Sequence, residues 1–188
     1  LFADPSCAEL VGQLLPQAPT IERVIFLCDA TDLPKTDYAA TAFESWIAGE
    51  PAEFTWGGFD ENTACGLCYT SGTTGNPKGV LYAHRSNFIH ALMTLQADAL
   101  ALSARDNVLM VVPMYHANAW GMVYSAPAVG AKLVLPGQRM DGESLVNLIE
   151  EEEITFSSAV PTIWQGVLHY LKSSGRGLGG LKRVVIGG

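Results

Sequence analysis

The feature that most constrains the fold is a regular alternation of short apolar runs with helical patterns. Six apolar runs are predicted to be buried strands: residues 23–29, 64–70, 107–113, 131–136, 154–160 and 181–187. Helical spacings lie between most of them, as in the stripe Leu145, Leu148, Ile149 and the stripe Phe88, Leu92, Leu95. The alternation predicts a layered α/β fold, with a mainly parallel sheet, flanking helices and ligands at the carboxyl ends of the strands.

Composition narrows the class of protein. The 188 residues, 48% hydrophobic and 16% charged, suit a folded domain with one sizeable core. No apolar run approaches the ~20 residues of a membrane span, and the first residues do not resemble a signal peptide. A cytoplasmic location is expected, with peripheral membrane association left open. The net charge of -8 argues against nonspecific nucleic-acid binding, so any anion needs a local cradle.

Two clusters of metal-ligating residue types favour structural interpretations. Cys65 and Cys68 have CxxC spacing, but three positions along a strand point to opposite faces, and no second CxxC or HxxxH pattern accompanies them. Buried, reduced thiols are therefore expected. The four glutamates at 150–153 are interpreted as the solvated end of a helix that begins near Asp141.

The stretch YTSGTTGNPKGV, residues 69–80, combines glycines, hydroxyl side chains and one lysine in a single predicted loop. Glycine lets backbone N–H groups turn toward a ligand, and hydroxyl donors with one cation suit a polyphosphate. The simpler alternative is a glycine-rich hairpin. The loop is not a Walker motif, because Pro77 precedes Lys78 and Gly79 follows it, and it matches neither GxGxxG nor GxSxG. A helix is expected to follow near Ser86.

Three stretches together resemble the acyl-adenylate-forming (AMP-binding) superfamily, and are most similar to medium- and long-chain fatty-acyl-CoA synthetases. The loop at 69–80 resembles the phosphate-binding signature of that superfamily. The stretch VPMYHANAWG, residues 112–121, resembles the motif beside the acyl and adenylate pockets, and KRVVIGG, residues 182–188, resembles the strand that leads to the adenine-contacting glycines. The resemblance covers essentially the whole chain.

The resemblance implies an AMP-forming acid-CoA ligase that uses ATP, Mg²⁺ and coenzyme A to convert a carboxylic acid, expected to be a fatty acid, to acyl-adenylate and then acyl-CoA. His116 and Lys78 are the implied catalytic residues. Trp120 and Val160 join His116 at the implied acid site, Pro161 and Trp164 are expected on its wall, and the other histidines receive no role. The implied nucleotide-binding residues are Thr70, Ser71, Gly72, Thr73, Thr74, Gly75, Lys78, Gly187 and Gly188.

Simpler explanations exist for two of these residues. His116 alone would suit a buried, hydrogen-bonded histidine at a strand end, and Trp120 alone would suit ordinary core.

The resemblance also implies that residues 1–188 are part of a large N-terminal AMP-binding domain, without the small C-terminal domain. The isolated piece is then expected to be inactive, with the magnesium-binding residues outside it. The alternatives are a nonenzymatic nucleotide-binding or interaction module and an aryl-acid CoA ligase. A homodimer formed through exposed sheet edges is a further expectation, which light scattering tests.

Overall fold

The structure is a computed structural model that describes residues 1–70 and 75–187. It contains two compact units, Leu1–Gly58 and Phe59–Gly188. Among the described residues, no helix is long and apolar enough to cross a membrane.

The first unit is a small parallel sheet with short helices. Its strands pair in the order β1 (Phe2–Ala3), β2 (Ile25–Phe26) and β3 (Thr41–Ala42). Its α-helices are α1 (Ala8–Leu14) and α2 (Phe43–Ile47), and its 3₁₀-helices span Pro5–Cys7, Leu15–Gln17 and Ala30–Asp32. Val11, Val24 and Phe26 form its core.

The second unit carries the larger sheet and the longer helices. Its strands are β4 (Ala64–Thr70), β5 (Lys78–Ala83), β6 (Asn107–Met110), β7 (Lys132–Val134), β8 (Phe156–Ala159) and β9 (Arg183–Ile186). Its helical elements are α3 (His84–Thr94), α4 (Ala117–Trp120), α5 (Met122–Val129), α6 (Gly142–Glu151) and α7 (Pro161–Ser174).

A four-stranded sheet in the order β7-β6-β8-β9 is parallel throughout, as the apolar runs predict. Leu109 and residues of α6 and α7 form one hydrophobic cluster, and Val108, Phe156 and residues of α5 form another. Alternate β6 residues thus pack into two different clusters, as expected for a sheet with helices on both faces. The layered α/β prediction is confirmed.

Helix α6 begins where the sequence predicts. The Asp141 carboxylate accepts a hydrogen bond of 2.9 Å from the backbone N–H of Ser144, an N-cap that fixes the first turn. Leu145 and Ile149 are buried on its inner face. The other predicted stripe differs, because Phe88 and Leu92 of α3 are 65% and 46% exposed.

The glycine-rich stretch connects the two strands of an antiparallel hairpin, in which β4 pairs with β5 and Thr70 lies opposite Lys78. The helix expected near Ser86 is confirmed, since α3 begins at His84. Strand β5, which was not predicted, lies between the loop and this helix. One face of the hairpin leaves Leu67, Tyr69 and Leu81 more than half exposed.

A β-bulge in β4 changes the direction of the two cysteines. The pairing shifts between Ala64 and Gly66, so that Cys65 is the extra residue. Asn87 of α3 donates to the Cys65 sulfur at 3.1 Å, and the Cys68 thiol donates to Asn118 of α4 at 3.6 Å. Both thiols thus approach the helices, and the expectation of opposite faces is wrong because the bulge interrupts the strand alternation.

A buried carboxylate joins the amino-terminal ends of three strands. Asp106, directly before β6, is 6% exposed and pairs with Arg183 at the start of β9. The hydroxyl of Thr155, directly before β8, donates to the same carboxylate at 2.8 Å, and the backbone N–H of Ser103 donates at 2.9 Å. Burial acts to raise the pKa of Asp106, but these hydrogen bonds and the Arg183 charge outweigh it and lower the pKa.

Candidate active site

A cavity of about 430 Å³ lies at the carboxyl ends of β6 and β8, the edge at which parallel sheets bind ligands. Most of its wall is apolar, and the polar groups on it come from a tyrosine, a histidine and a tryptophan. The lining residues are Val111, Val112, Pro113, Tyr115, His116, Trp120, Met140, Ala159, Val160 and Ile163. Such a wall suits a ligand with an apolar body and a polar end.

The cavity brings together the three residues that the sequence assigns to the acid site. His116 and Trp120 follow β6, Val160 follows β8, and all three line the same space. His116 is exposed, so it does not fit the buried-histidine alternative. Tyr115, 80% exposed beside it, had no assigned role, and only its position next to His116 could have indicated one.

The expected wall residues Pro161 and Trp164 are not among the described residues that line the cavity. Trp164 instead packs against the hydrophobic cluster of α6 and α7. Its indole N–H is buried without a hydrogen-bond partner among the described residues. Ile163 takes the place on the wall that the sequence assigned to Trp164.

Helix α4 is a single left-handed turn. Ala117, Asn118, Ala119 and Trp120 have φ values of 45°, 52°, 51° and 55°. The turn is closed by the N–H of Gly121, which lies 3.1 Å from the carbonyl oxygen of Ala117. Left-handed backbone costs roughly 1–2 kcal/mol for each non-glycine residue, so the surrounding structure must enforce it. We call residues 117–121 the left-handed turn.

Neighbouring elements hold the left-handed turn from several sides. Ala119 is fully buried in the cluster that contains Val108 and Met122. The indole of Trp120 packs against Gly187 after β9, where an added Cβ would lie 3.2 Å from the ring. Gly187 thus lies beside the cavity lined by His116, Trp120 and Val160, which we call the acid cavity after the implied substrate.

On its other side, the left-handed turn meets α3. A Cβ on Gly121, whose φ is 78°, would overlap the imidazole of His90. His90 was given no role from sequence, and no spacing pattern links it to a glycine in another element. His90 packs against the turn that carries Trp120.

A second cavity of about 310 Å³ lies behind Trp120. Met93, Leu100, Met122 and Val185 give it a largely apolar wall, and His90 and Ser158 contribute polar groups. Trp120 borders both this cavity and the cavity of His116 and Val160. The indole therefore lies on the boundary between two apolar spaces.

The predicted nucleotide-binding residues are only partly described. Thr70 and Lys78 are exposed and lie opposite each other at the loop end of the hairpin, and Gly75 has a φ of 95° that favours glycine. Ser71, Gly72, Thr73, Thr74 and Gly188 lie outside the described residues. The residues described as lining the acid cavity do not include Thr70, Gly75 or Lys78.

The described residues offer no metal centre. Over residues 1–70 and 75–187, no three His, Cys, Asp or Glu side chains converge as ligands for an ion.

Comparison with known proteins agrees with this geometry. The profile of the AMP-binding enzyme family matches residues 7–188. The chain is 44% identical to 3-methylmercaptopropionyl-CoA ligase of Ruegeria pomeroyi, over 100% of the chain and 35% of the relative. It is 53% identical to medium-chain-fatty-acid–CoA ligase of Ectopseudomonas oleovorans, over 78% of the chain and 27% of the relative.

A solved structure supports the same fold. The chain superposes on the anthranilate CoA ligase AuaEII in complex with anthranoyl-AMP with a TM-score of 0.84 and 22% identity, over 99% of the chain and 35% of that protein. The chain thus spans about a third of the length of the relatives it matches. The match of the family profile over nearly every residue shows that the chain belongs to the AMP-binding enzyme family.

Proposed function

We propose that the chain is part of the N-terminal AMP-binding domain of a longer ligase that activates a hydrophobic carboxylic acid with ATP and transfers the acyl group to coenzyme A. The observation that carries the proposal is the apolar cavity that joins His116, Trp120 and Val160 at the carboxyl edge of a parallel sheet. Identities of 44% and 53% to two acid-CoA ligases support the reaction type.

The proposed reaction has two steps. A carboxylate oxygen of the acid attacks the α-phosphorus of ATP, and the bond to the bridging oxygen breaks to release pyrophosphate. The thiol sulfur of coenzyme A then attacks the acyl carbonyl carbon, loses its proton and displaces AMP. Both steps concentrate negative charge, which positioned N–H and O–H dipoles stabilise.

The chain's own residues supply complementary parts of this chemistry. The apolar wall, with Val160 and Ile163, would bury the body of the acid while His116 orients its carboxylate and donates a hydrogen bond toward the α-phosphate. Lys78 would follow the pyrophosphate with its positive charge, and Thr70 would offer a hydroxyl donor. Gly187, which packs against the Trp120 ring, would lie beside the adenine.

The fatty character of the acid is a further part of the proposal. Seven of the ten cavity residues are Val, Ile, Met, Ala or Pro, and no lysine, arginine, aspartate or glutamate lies among the described lining. A charged amino-acid substrate would have no ionic partner there. Mg²⁺ would enter with ATP, since the described residues form no cluster of His, Cys, Asp or Glu that could hold it.

Acid-dependent exchange of pyrophosphate into ATP tests the proposal. The assay compares the full-length ligase, its Lys78→Ala variant and the isolated 188 residues across straight-chain, thioether and aryl acids. Lys172→Ala, an exposed lysine on α7, is the matched control. We expect exchange by the full-length protein and no exchange by the isolated residues. Lys78→Ala should lose about a hundred- to a thousandfold (~2.7–4 kcal/mol), the range seen when one oxyanion-stabilising donor is removed.

The choice of acid decides between the alternatives. Preference for aryl acids would replace the fatty-acid assignment with an aryl-acid ligase. No exchange with any acid, together with retained ATP binding, would overturn the enzymatic proposal in favour of a nucleotide-binding module.

A further inference from the structure

We propose that Asn118 is a positioning residue that, through Cys68, holds the left-handed turn so that His116 and Trp120 face the acid cavity. The inference rests on the proposed function, because it assigns a role within the same acid site.

The backbone of Asn118 fits this role. Its φ of 52° lies in the left-handed region, which asparagine enters more readily than other residues with a side chain. The flanking Ala117 and Ala119 have no polar side-chain group with which to anchor the turn. Asn118 is therefore both the residue best suited to this backbone and the one able to fix it by a hydrogen bond.

The side chain of Asn118 supplies that anchor. Its Oδ1 accepts from the Cys68 thiol at 3.6 Å, and its Nδ2 lies 3.9 Å from where a Cβ of Gly66 would be. Cys68 is 8% exposed, so water competes little for this contact. The amide thus rests on two residues of β4, the strand that leads into the glycine-rich loop.

Asn118 lies outside the lining of the acid cavity. It borders a cavity of about 500 Å³ with Tyr82, Asn87 and His90, and it is not among the described residues that line the cavity of His116. Trp120, two residues later, borders both spaces. An effect of Asn118 on the acid must therefore pass through the turn, which makes it a positioning and not a catalytic residue.

The test uses pyrophosphate exchange by the full-length protein, with acid and ATP varied separately. Asn118→Gly keeps the left-handed backbone and removes the amide, and Asn118→Asp restores the acceptor. Cys68→Ala removes the donor, and Cys68→Ser restores one. Ala101→Gly, at a φ of 50° outside the site, controls for glycine in left-handed backbone.

We expect Asn118→Gly to raise the KM for the acid about three- to tenfold, the range of one hydrogen bond, and to leave the KM for ATP within about twofold. Cys68→Ala should shift the acid KM in the same direction, and the double variant should be no worse than Asn118→Gly alone. Asn118→Asp, Cys68→Ser and Ala101→Gly should stay near wild type.

Three results would overturn the inference: a wild-type acid KM in Asn118→Gly, an equal rise in both KM values, or additive effects of Asn118→Gly and Cys68→Ala.

A second readout separates this inference from the proposed function. If none of the acids supports pyrophosphate exchange by the wild-type protein, the proposed function fails. The contact between Cys68 and Asn118 is then tested by the rate at which iodoacetamide alkylates Cys68 in the folded protein. Asn118→Gly should raise that rate at least about threefold, with Cys65 as internal reference. An unchanged Cys68 rate would overturn the contact itself.

Discussion

The imidazole of His90 lies against Gly121 so closely that Gly121 has no room for a side chain. Gly121 also has a φ of 78°, so its backbone favours glycine independently of its neighbour. The two constraints act on the residue that ends the left-handed turn, directly after Trp120.

Gly121→Ala should therefore destabilise the protein by about 2–5 kcal/mol, the sum of a left-handed alanine and an overpacked contact. Gly130→Ala is the matched control, since Gly130 has a φ of 72° but open space around it, and should cost only about 1–2 kcal/mol. Urea unfolding measures both values. Adding His90→Ala to Gly121→Ala should recover part of the excess, and equal losses in the two glycine variants would contradict the prediction.

Asp106→Asn should lower the free energy of unfolding at neutral pH by about 1.5–3 kcal/mol, because Arg183 and Thr155 lose a charged acceptor. The lowered pKa of Asp106 also fixes a pH dependence. A carboxyl with a depressed folded-state pKa stabilises the protein above its unfolded-state value, near 3.8, and that contribution is lost as the pH falls below it.

The acid limb of the stability curve should accordingly be flatter in Asp106→Asn than in wild type. Unfolding at a series of pH values between about 2 and 7 measures this. Asp141→Asn, at the exposed cap of α6, is the comparison for a carboxylate that holds one helix end only. Parallel acid limbs in wild type and Asp106→Asn would contradict the assignment.

Glycine should stabilise the protein where an ordinary residue has left-handed backbone outside the site. Ala101 and Glu153 have φ values of 50° and 51°, so Ala101→Gly and Glu153→Gly relieve strain and should gain up to about 1 kcal/mol. Ala128→Gly, in the exposed part of α5, should instead lose about 0.5–1 kcal/mol. Thermal unfolding distinguishes the opposite signs, and a loss in all three would show that backbone entropy dominates.

Trp120→Ala should change the preference for acid length, given the proposed activity. Removal of the indole joins the cavities of about 430 and 310 Å³, so longer acids gain apolar contacts. Each additional buried methylene contributes about 0.8 kcal/mol, roughly fourfold in kcat/KM. Exchange measured over a series of straight-chain acids should shift its maximum to longer chains, while Trp120→Phe should shift it less. An unchanged maximum would show that Trp120 does not limit the space.

Much of the fold was predictable because its physical cause is local. Continuous apolar runs identified the four parallel strands around Val108 and Phe156, since strands buried on both faces need no polar alternation. The cap at Asp141 and the stripe of Leu145 and Ile149 located α6 for the same reason. The residues of the implied acid site, in contrast, were identified only through a family resemblance. The cavity that brings them together forms only when β6 and β8 pair in the sheet.

The features that were missed depend on contacts between distant elements. Strand β5 was overlooked because its pairing with β4 lies across the glycine-rich loop. The bulge at Cys65 could not be predicted, because the spacing of Cys65 and Cys68 is the same with or without it. The left-handed turn contains Ala117 and Ala119, which favour right-handed helices, so only packing by His90 and burial of Ala119 reveal it.

The cavity wall also bears on how readily this protein can acquire new specificities. Tyr115, Met140, Val160 and Ile163 all line the cavity, yet none belongs to a strand and none is fully buried. Met140 and Ile163 also pack against the cluster of α6 and α7, whereas Tyr115 and Val160 do not. Mutations at Tyr115 and Val160 can therefore reshape the cavity without disturbing strand pairing or the hydrophobic clusters. Given the proposed activity, selection and laboratory evolution can explore new acids there at little risk of misfolding, which makes these two positions the natural choice for a combinatorial library.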